Sequence, residues 1–170
     1  MGTINIPFVF NSLGRVDFFA DVVTSDCKSF KGVRFKLDSG SDFTTIDSKD
    51  LYNLGYTREF LENCPFHHLS ASTASSDIRL QFIKNVSIKF GEREIQNCRI
   101  FFALDSRLRS LFGSDILKYF NWGVNYDKKL LQLDKTENVP ALSEGEEPLQ
   151  IYFVEGAKIA DAVLQITQNQ

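Results

Sequence analysis

An all-β domain is the fold this sequence predicts, and three observations predict it. The aromatic residues are 16 Phe, 5 Tyr and one Trp, a bulky mix that suits the half-buried, pleated surface of a sheet better than a helical bundle. Apolar and polar residues alternate with a two-residue period in Val33-Arg34-Phe35-Lys36-Leu37 and again in Val86-Ser87-Ile88-Lys89-Phe90, the pattern of strands with one buried face. Turn residues recur between such runs, at Asn11-Ser12-Leu13-Gly14, Gly91-Glu92 and Asp127-Lys128, as hairpins require.

In chain order, residues 3–10 and 15–24 read as a hairpin and residues 33–37 as a third strand. That strand runs into the hydroxyl-rich loop Asp38-Ser39-Gly40-Ser41, and residues 43–46 are strand-like again. Ser48 is placed to cap a short helix over residues 49–54 that Gly55 ends in a left-handed conformation, and a second brief helix is expected over residues 57–62. Within residues 69–82, the small polar cluster Ser70-Ala71-Ser72-Thr73-Ala74-Ser75-Ser76 lacks the bulk of a core segment and reads as the tip of an exposed hairpin. Residues 86–90 and 93–102 form the next hairpin. Ser114 or Asp115 caps a helix over residues 116–120, and the last hairpin pairs residues 122–126 with 130–133. Residues 135–148 have a linker composition of Thr, Ser, Pro and Glu; beyond them lie a candidate strand at 149–154 and a weakly amphipathic helix at 157–166. The expected organisation is one domain over residues 1–134 with a linker and C-terminal tail over 135–170. No internal repeat is present, which excludes a solenoid.

Charge narrows the function classes. Lysine and arginine number 19 against 22 acidic residues, a formal charge of −3, which argues against non-specific nucleic-acid binding. Apolar residues at 43% and charged residues at 24% supply a single core and exclude wholesale disorder. No apolar run approaches the roughly 18 residues that span a bilayer, so no membrane association is expected. The Met1-Gly2-Thr3-Ile4-Asn5-Ile6-Pro7 segment lacks the basic and apolar regions of a secretory signal, so the expectation is a soluble, cytoplasmic chain. Cys27, Cys64 and Cys98 are odd in number and contain no C-x-x-C, so reduced thiols are expected in place of a disulfide framework or zinc knuckle.

The segment that carries chemistry is Asp38-Ser39-Gly40-Ser41 at the end of a buried strand. Asp-Ser-Gly alone is a common turn sequence, but Gly permits a tight turn and the hydroxyls can hold neighbouring backbone or carboxylate. Further along, Leu111-Phe112-Gly113 precedes a short helix. With these elements in this order, the chain resembles the retropepsin-like aspartic proteases, the single-domain relatives of the retroviral proteases. Leu37-Asp38-Ser39-Gly40-Ser41 matches that family's hydrophobic-Asp-Thr/Ser-Gly motif, and Leu111-Phe112-Gly113 matches its hydrophobic-hydrophobic-Gly motif. The hairpin with Ser72, Thr73, Ala74, Ser75 and Ser76 falls where the family's flap belongs.

The resemblance spans residues 3–134 and implies a single-domain acid-protease fold whose sheet is closed or partly closed into a barrel with short helices. It implies that Asp38 is catalytic, that Ser39 ties two active loops together, that Gly40 lets the chain approach the carboxylates closely, and that Ser41 hydrogen-bonds the outer carboxylate oxygen. The motif occurs once here, whereas two-lobed pepsin-like enzymes carry two copies in a much longer chain, so the implied active unit is a homodimer. Its substrate is a peptide or protein, cleaved by a water activated between two carboxylates, with neither cofactor nor metal. Ser39 keeps the hydroxyl of the commoner Thr. Ser114 replaces an Arg that helps hold retroviral dimers, which moves the expected interface to terminal strands at residues 3–10 or 149–154.

Rival readings of the remaining residues are bland. Asp115 reads as a helix N-cap and stays outside the catalytic set. Cys64, His67 and His68 lack a fourth metal ligand at suitable spacing, and no local feature marks an activated thiol for a Cys–His pair. Asp42, Asp47 and Asp50 lack calcium-loop spacing and read as solvated acids near a helix start. Ile100-Phe101-Phe102 reads as sheet core. A different class of function shares the same sequence features: a catalytically silent module that binds peptides or partners through the same cleft. Asp38 in its turn context favours the enzyme.

Overall fold

Alternation becomes burial from the first strand onward. A computed structural model describes residues 3–26, 28–67, 71–72, 77–105, 107–138, 140–142 and 145–153. In β1 (Ile4–Phe10), Ile4, Ile6 and Phe8 are buried while Asn5, Pro7 and Val9 face outward. The strand changes partner midway. Residues 4–7 pair with β10 (Leu130–Lys135) and residues 8–10 with β2 (Val16–Val23). Pro7, which has no N–H to donate, falls at this changeover, where a strand tolerates proline.

β2 is the hub of the sheet. It pairs with β1, with β3 (Ser29–Leu37) and with β6 (Gln81–Phe90), and a register shift between Ala20 and Val22 marks where it bends from one neighbour to the next. β6 and β7 (Arg93–Phe102) form a long hairpin around Gly91, whose φ of 60° suits the turn. β8 (Leu111–Phe112) lies parallel to β3, and β9 (Phe120–Asn125) completes a hairpin with β10. β11 (Gln150–Phe153) adds antiparallel to β7. The result is a mostly antiparallel nine-stranded sheet in the order β11-β7-β6-β2-β1-β10-β9, with β3 joined to β2 and β8 off that path. A separate two-stranded ribbon is made by β4 (Ala71–Ser72) and β5 (Asp77–Ile78).

This is the expected all-β architecture, but the sheet does not close into a barrel. β9 and β11 end it. β1 has neighbours on both sides, so of the two terminal strands considered for an interface only β11 lies at an edge. The core is aromatic. Phe18, Phe35 and Phe112 are fully buried, with Phe18 and Phe112 rings 5.1 Å apart at 79°, an edge-to-face geometry that adds to the area they bury.

The helices are short, and their caps differ from expectation. α1 (Ser48–Asn53) is capped by Asp47, which accepts the Lys49 N–H, and not by Ser48. Gly55 follows with φ +93°. α2 (Arg58–Glu62) is capped by Thr57, which accepts the Phe60 N–H. α3 spans Ser114–Leu117, starts and ends earlier than expected, and has Gly113 at its N-cap with no side-chain cap bond. Cys27, His68, the tip residues Thr73, Ala74, Ser75 and Ser76, and the expected helix at 157–166 lie outside the described residues.

Candidate active site

β3 delivers Asp38 to the protein surface. Val33 and Phe35 point into the core, which leaves Arg34, Lys36 and Asp38 on the opposite face by the two-residue period. The Asp38 N–H donates to Phe112 O at 3.0 Å, so the loop begins under control of β8. Ser41 N–H closes the turn onto Asp38 O at 3.1 Å, and Gly40 N–H donates to Asp38 Oδ1 at 3.2 Å. The Asp38 side chain is 30% exposed, open to a ligand, and its Oδ2 lies 3.7 Å from Lys36 Nζ. Ser39 and Gly40 are exposed.

Ser41 takes a different partner from the one the resemblance implies. Its hydroxyl donates to Phe43 O at 2.7 Å and makes no described bond to Asp38. The bond fastens the loop where it folds back on itself within two residues.

Leu111-Phe112-Gly113 holds the loop from beneath. Leu111 exchanges main-chain bonds with Thr45, Ser114 N–H donates to Ser41 O at 2.8 Å, and Gly113 N–H donates to Thr44 Oγ1 at 3.1 Å. A Cβ on Gly113 would sit 2.5 Å from Phe43 O and 2.8 Å from Ser41 O, both backbone atoms. Gly113 has φ −101°, so the requirement is space and not backbone conformation. Gly113→Ala should therefore cost about 1–3 kcal/mol of stability, the usual cost of overpacking, and displace the Asp38 loop. A lowered urea midpoint with unchanged slope is the expected reading.

Asp115 is not the cap that the sequence suggests, because Gly113 occupies that position. The aspartate sits in the first turn of α3, and its carboxylate accepts both the Thr44 N–H at 3.0 Å and the Thr44 hydroxyl at 2.6 Å. It also accepts the N–H of Ile116, but its main task is to brace the Asp38 loop across a long sequence separation. Burial pushes its carboxyl up to about 6, with the Thr44 bonds opposing that shift. A carboxyl with a raised folded pKa binds more protons in the folded state, so its contribution to stability should fall as pH rises from about 4 to about 6. Asp115→Asn keeps an acceptor for Thr44 N–H and should remove that part of the pH dependence. Denaturant midpoints of both proteins between pH 4 and 7 measure the difference.

Beside the loop lies a second apolar cluster of Ile78, Leu80, Phe101 and Ala103, with Phe43, Phe82 and Leu108 packed on its margin. Buried His67 stacks edge-on against Phe43 at 4.9 Å and Phe101 at 5.5 Å. Through Phe43, whose carbonyl accepts the Ser41 hydroxyl, this cluster joins the base of the β4–β5 ribbon to the Asp38 loop. Ser72 pairs with Asp77 in that ribbon. Cys98 is buried and Cys64 partly buried, and burial pushes both thiols up, away from the reactive thiolate. Lys36 and Thr44 went unnoticed in the sequence. Period-two alternation marks Lys36 as sharing the Asp38 face, whereas nothing local marks Thr44.

No family model matches the chain, and no curated protein matches it. Among solved structures, a retropepsin-like aspartic protease from Rickettsia conorii is similar to it, with a TM-score of 0.50 and 22% identity over 78% of this chain and 89% of that one. The likeness is one of fold. Among the described residues, no helix is long and apolar enough to cross a membrane.

Proposed function

We propose that the protein is an aspartic endopeptidase whose active unit is a homodimer, with Asp38 of each copy supplying one of two facing carboxylates. The observation that carries this reading is the anchored position of Asp38, tied at its N–H to Phe112 and at Oδ1 to Gly40 while its side chain stays partly exposed. A lone surface aspartate in a turn has no need of such bracing from β8, Gly113 and Asp115. Exposed Ser39 and Gly40 leave the loop tip accessible to a second copy.

Two carboxylates that share one site hold a single proton between them over a working pH range. The ionised member takes a proton from a bound water, whose oxygen attacks the scissile carbonyl. The protonated member donates its hydrogen bond to the carbonyl oxygen as negative charge develops there. Collapse of the tetrahedral intermediate breaks the C–N bond, and the amine leaves with a proton from the pair. No acyl-enzyme, metal or cofactor enters. The β4–β5 ribbon, in which Ala71–Ser72 pairs with Asp77–Ile78, serves as a flap that excludes water from the bound peptide. Residues 1–134 carry all these groups and form the catalytic part of the chain, and residues 135–170 add β11 to its sheet through β7. Digestion of a peptide library from acidic to neutral pH, by wild type beside Asp38→Asn, tests the proposal.

A further inference from the structure

We infer that Lys36 sets substrate preference at this site by selecting peptides with an acidic side chain beside the bond offered to Asp38. The inference rests on the endopeptidase reading. Lys36 Nζ lies 3.7 Å from Asp38 Oδ2, and its side chain is 21% exposed, so it is partly enclosed yet reachable. The same side chain lines a cavity of about 390 Å³ bounded by the β1–β2 turn at Asn11, by Arg34 of β3 and by Arg109 ahead of β8. Lys36 thus stands between the cavity and Asp38. A peptide whose carbonyl reaches Asp38 places a neighbouring side chain within range of Lys36.

Charge and polarity decide what that side chain is. Every residue lining the cavity is polar or charged, so an apolar side chain gains little by entering. Arg34 is already engaged by Asp17 at 2.8 Å. Of the two further acids in the wall, Asp47 accepts the Lys49 N–H as the α1 cap. Burial, and secondarily the charge of Asp47, raises the Asp50 carboxyl above its ordinary range. Of the wall cations, Arg34 is paired with Asp17, whereas the ion partner described for Lys36 is Asp38 itself, at the edge of the cavity. A substrate carboxylate replaces Asp38 as the partner of Lys36, which holds the peptide and releases the Asp38 oxygen to its own work. A basic side chain is repelled, and a neutral one leaves the Lys36–Asp38 pair in place.

The test uses statine-containing peptides identical except for Glu, Gln or Lys at one position flanking the statine, with binding read by fluorescence anisotropy and hydrolysis of the matching substrates read in parallel. Wild type should bind the Glu peptide about tenfold more tightly than the Gln peptide at one flanking position, the scale of one charge-assisted contact. Lys36→Glu should reverse the preference toward Lys. Lys36→Gln, which keeps a polar chain only one bond shorter and removes the charge at a partly exposed position, should abolish it without reversal. Indifference of wild type to the charge, or a Glu preference that survives both substitutions, overturns the inference. Charge-dependent binding without hydrolysis supports Lys36 and sinks the endopeptidase reading, whereas hydrolysis without charge preference does the opposite. Failure to bind any of the peptides overturns both.

Discussion

Asp38→Asn should lower peptide hydrolysis by about 10⁴-fold, the upper end of what a positioned acid–base group contributes, and leave the protein folded. The amide has the size of the carboxyl and keeps an oxygen to accept the Gly40 N–H that now bonds Oδ1. What disappears is the group that takes a proton from water. The ion pair with Lys36 is lost as well, but both side chains are partly exposed, and pairs of that kind contribute about 0–1 kcal/mol. Thermal unfolding should therefore move by no more than a few degrees. Chelators should leave wild-type activity unchanged, because the water is activated by carboxylates alone. Equal turnover by wild type and a pure Asp38→Asn preparation would remove Asp38 from the mechanism. Peptide binding by both proteins with turnover by neither would identify a silent binding module.

The second large effect concerns assembly. One Asp38 per chain supplies half of the proposed carboxylate pair, so specific activity should collapse on dilution below the dimer dissociation constant while the unfolding signal stays native-like. Sedimentation velocity over the same concentrations should show the shift from dimer to monomer. Mixing adds a sharper reading. With free exchange and random pairing, an equimolar addition of Asp38→Asn should leave about half of the wild-type activity, because mixed dimers carry one competent carboxylate. Activity that is indifferent both to dilution and to the inactive variant would show that a single protomer suffices. In that case the facing-carboxylate mechanism fails even if Asp38 is essential.

Much of this architecture was legible because strand alternation and turn chemistry are local. Val33 to Leu37 shows by its own periodicity which residues enter the core, and Gly91 marks the β6–β7 turn without reference to anything distant. Helix caps were less legible. Asp47 and Ser48 are both good caps, and the choice between them depends on the backbone that precedes the helix, which sequence does not specify. The same ambiguity placed a side-chain cap on α3, where the structure has Gly113 and frees Asp115 for Thr44.

Closure of the sheet was a global property implied by resemblance alone, and the strand order shows two separate ends. By itself, the sequence determined that strands dominate, that Asp38 follows a half-buried strand, and that two glycine motifs flank the intervening elements. Each of those properties resides in a few neighbouring residues. Only the tertiary structure decided that Gly113 must lack a side chain, that Asp115 braces Thr44, and that Lys36 joins Asp38 to a polar cavity. The first two depend on β8 lying parallel to β3, a pairing between segments far apart in the chain that no local pattern encodes. For Lys36, the shared strand face was readable from alternation, but the cavity needs the β1–β2 turn and Arg109 brought beside it by the fold.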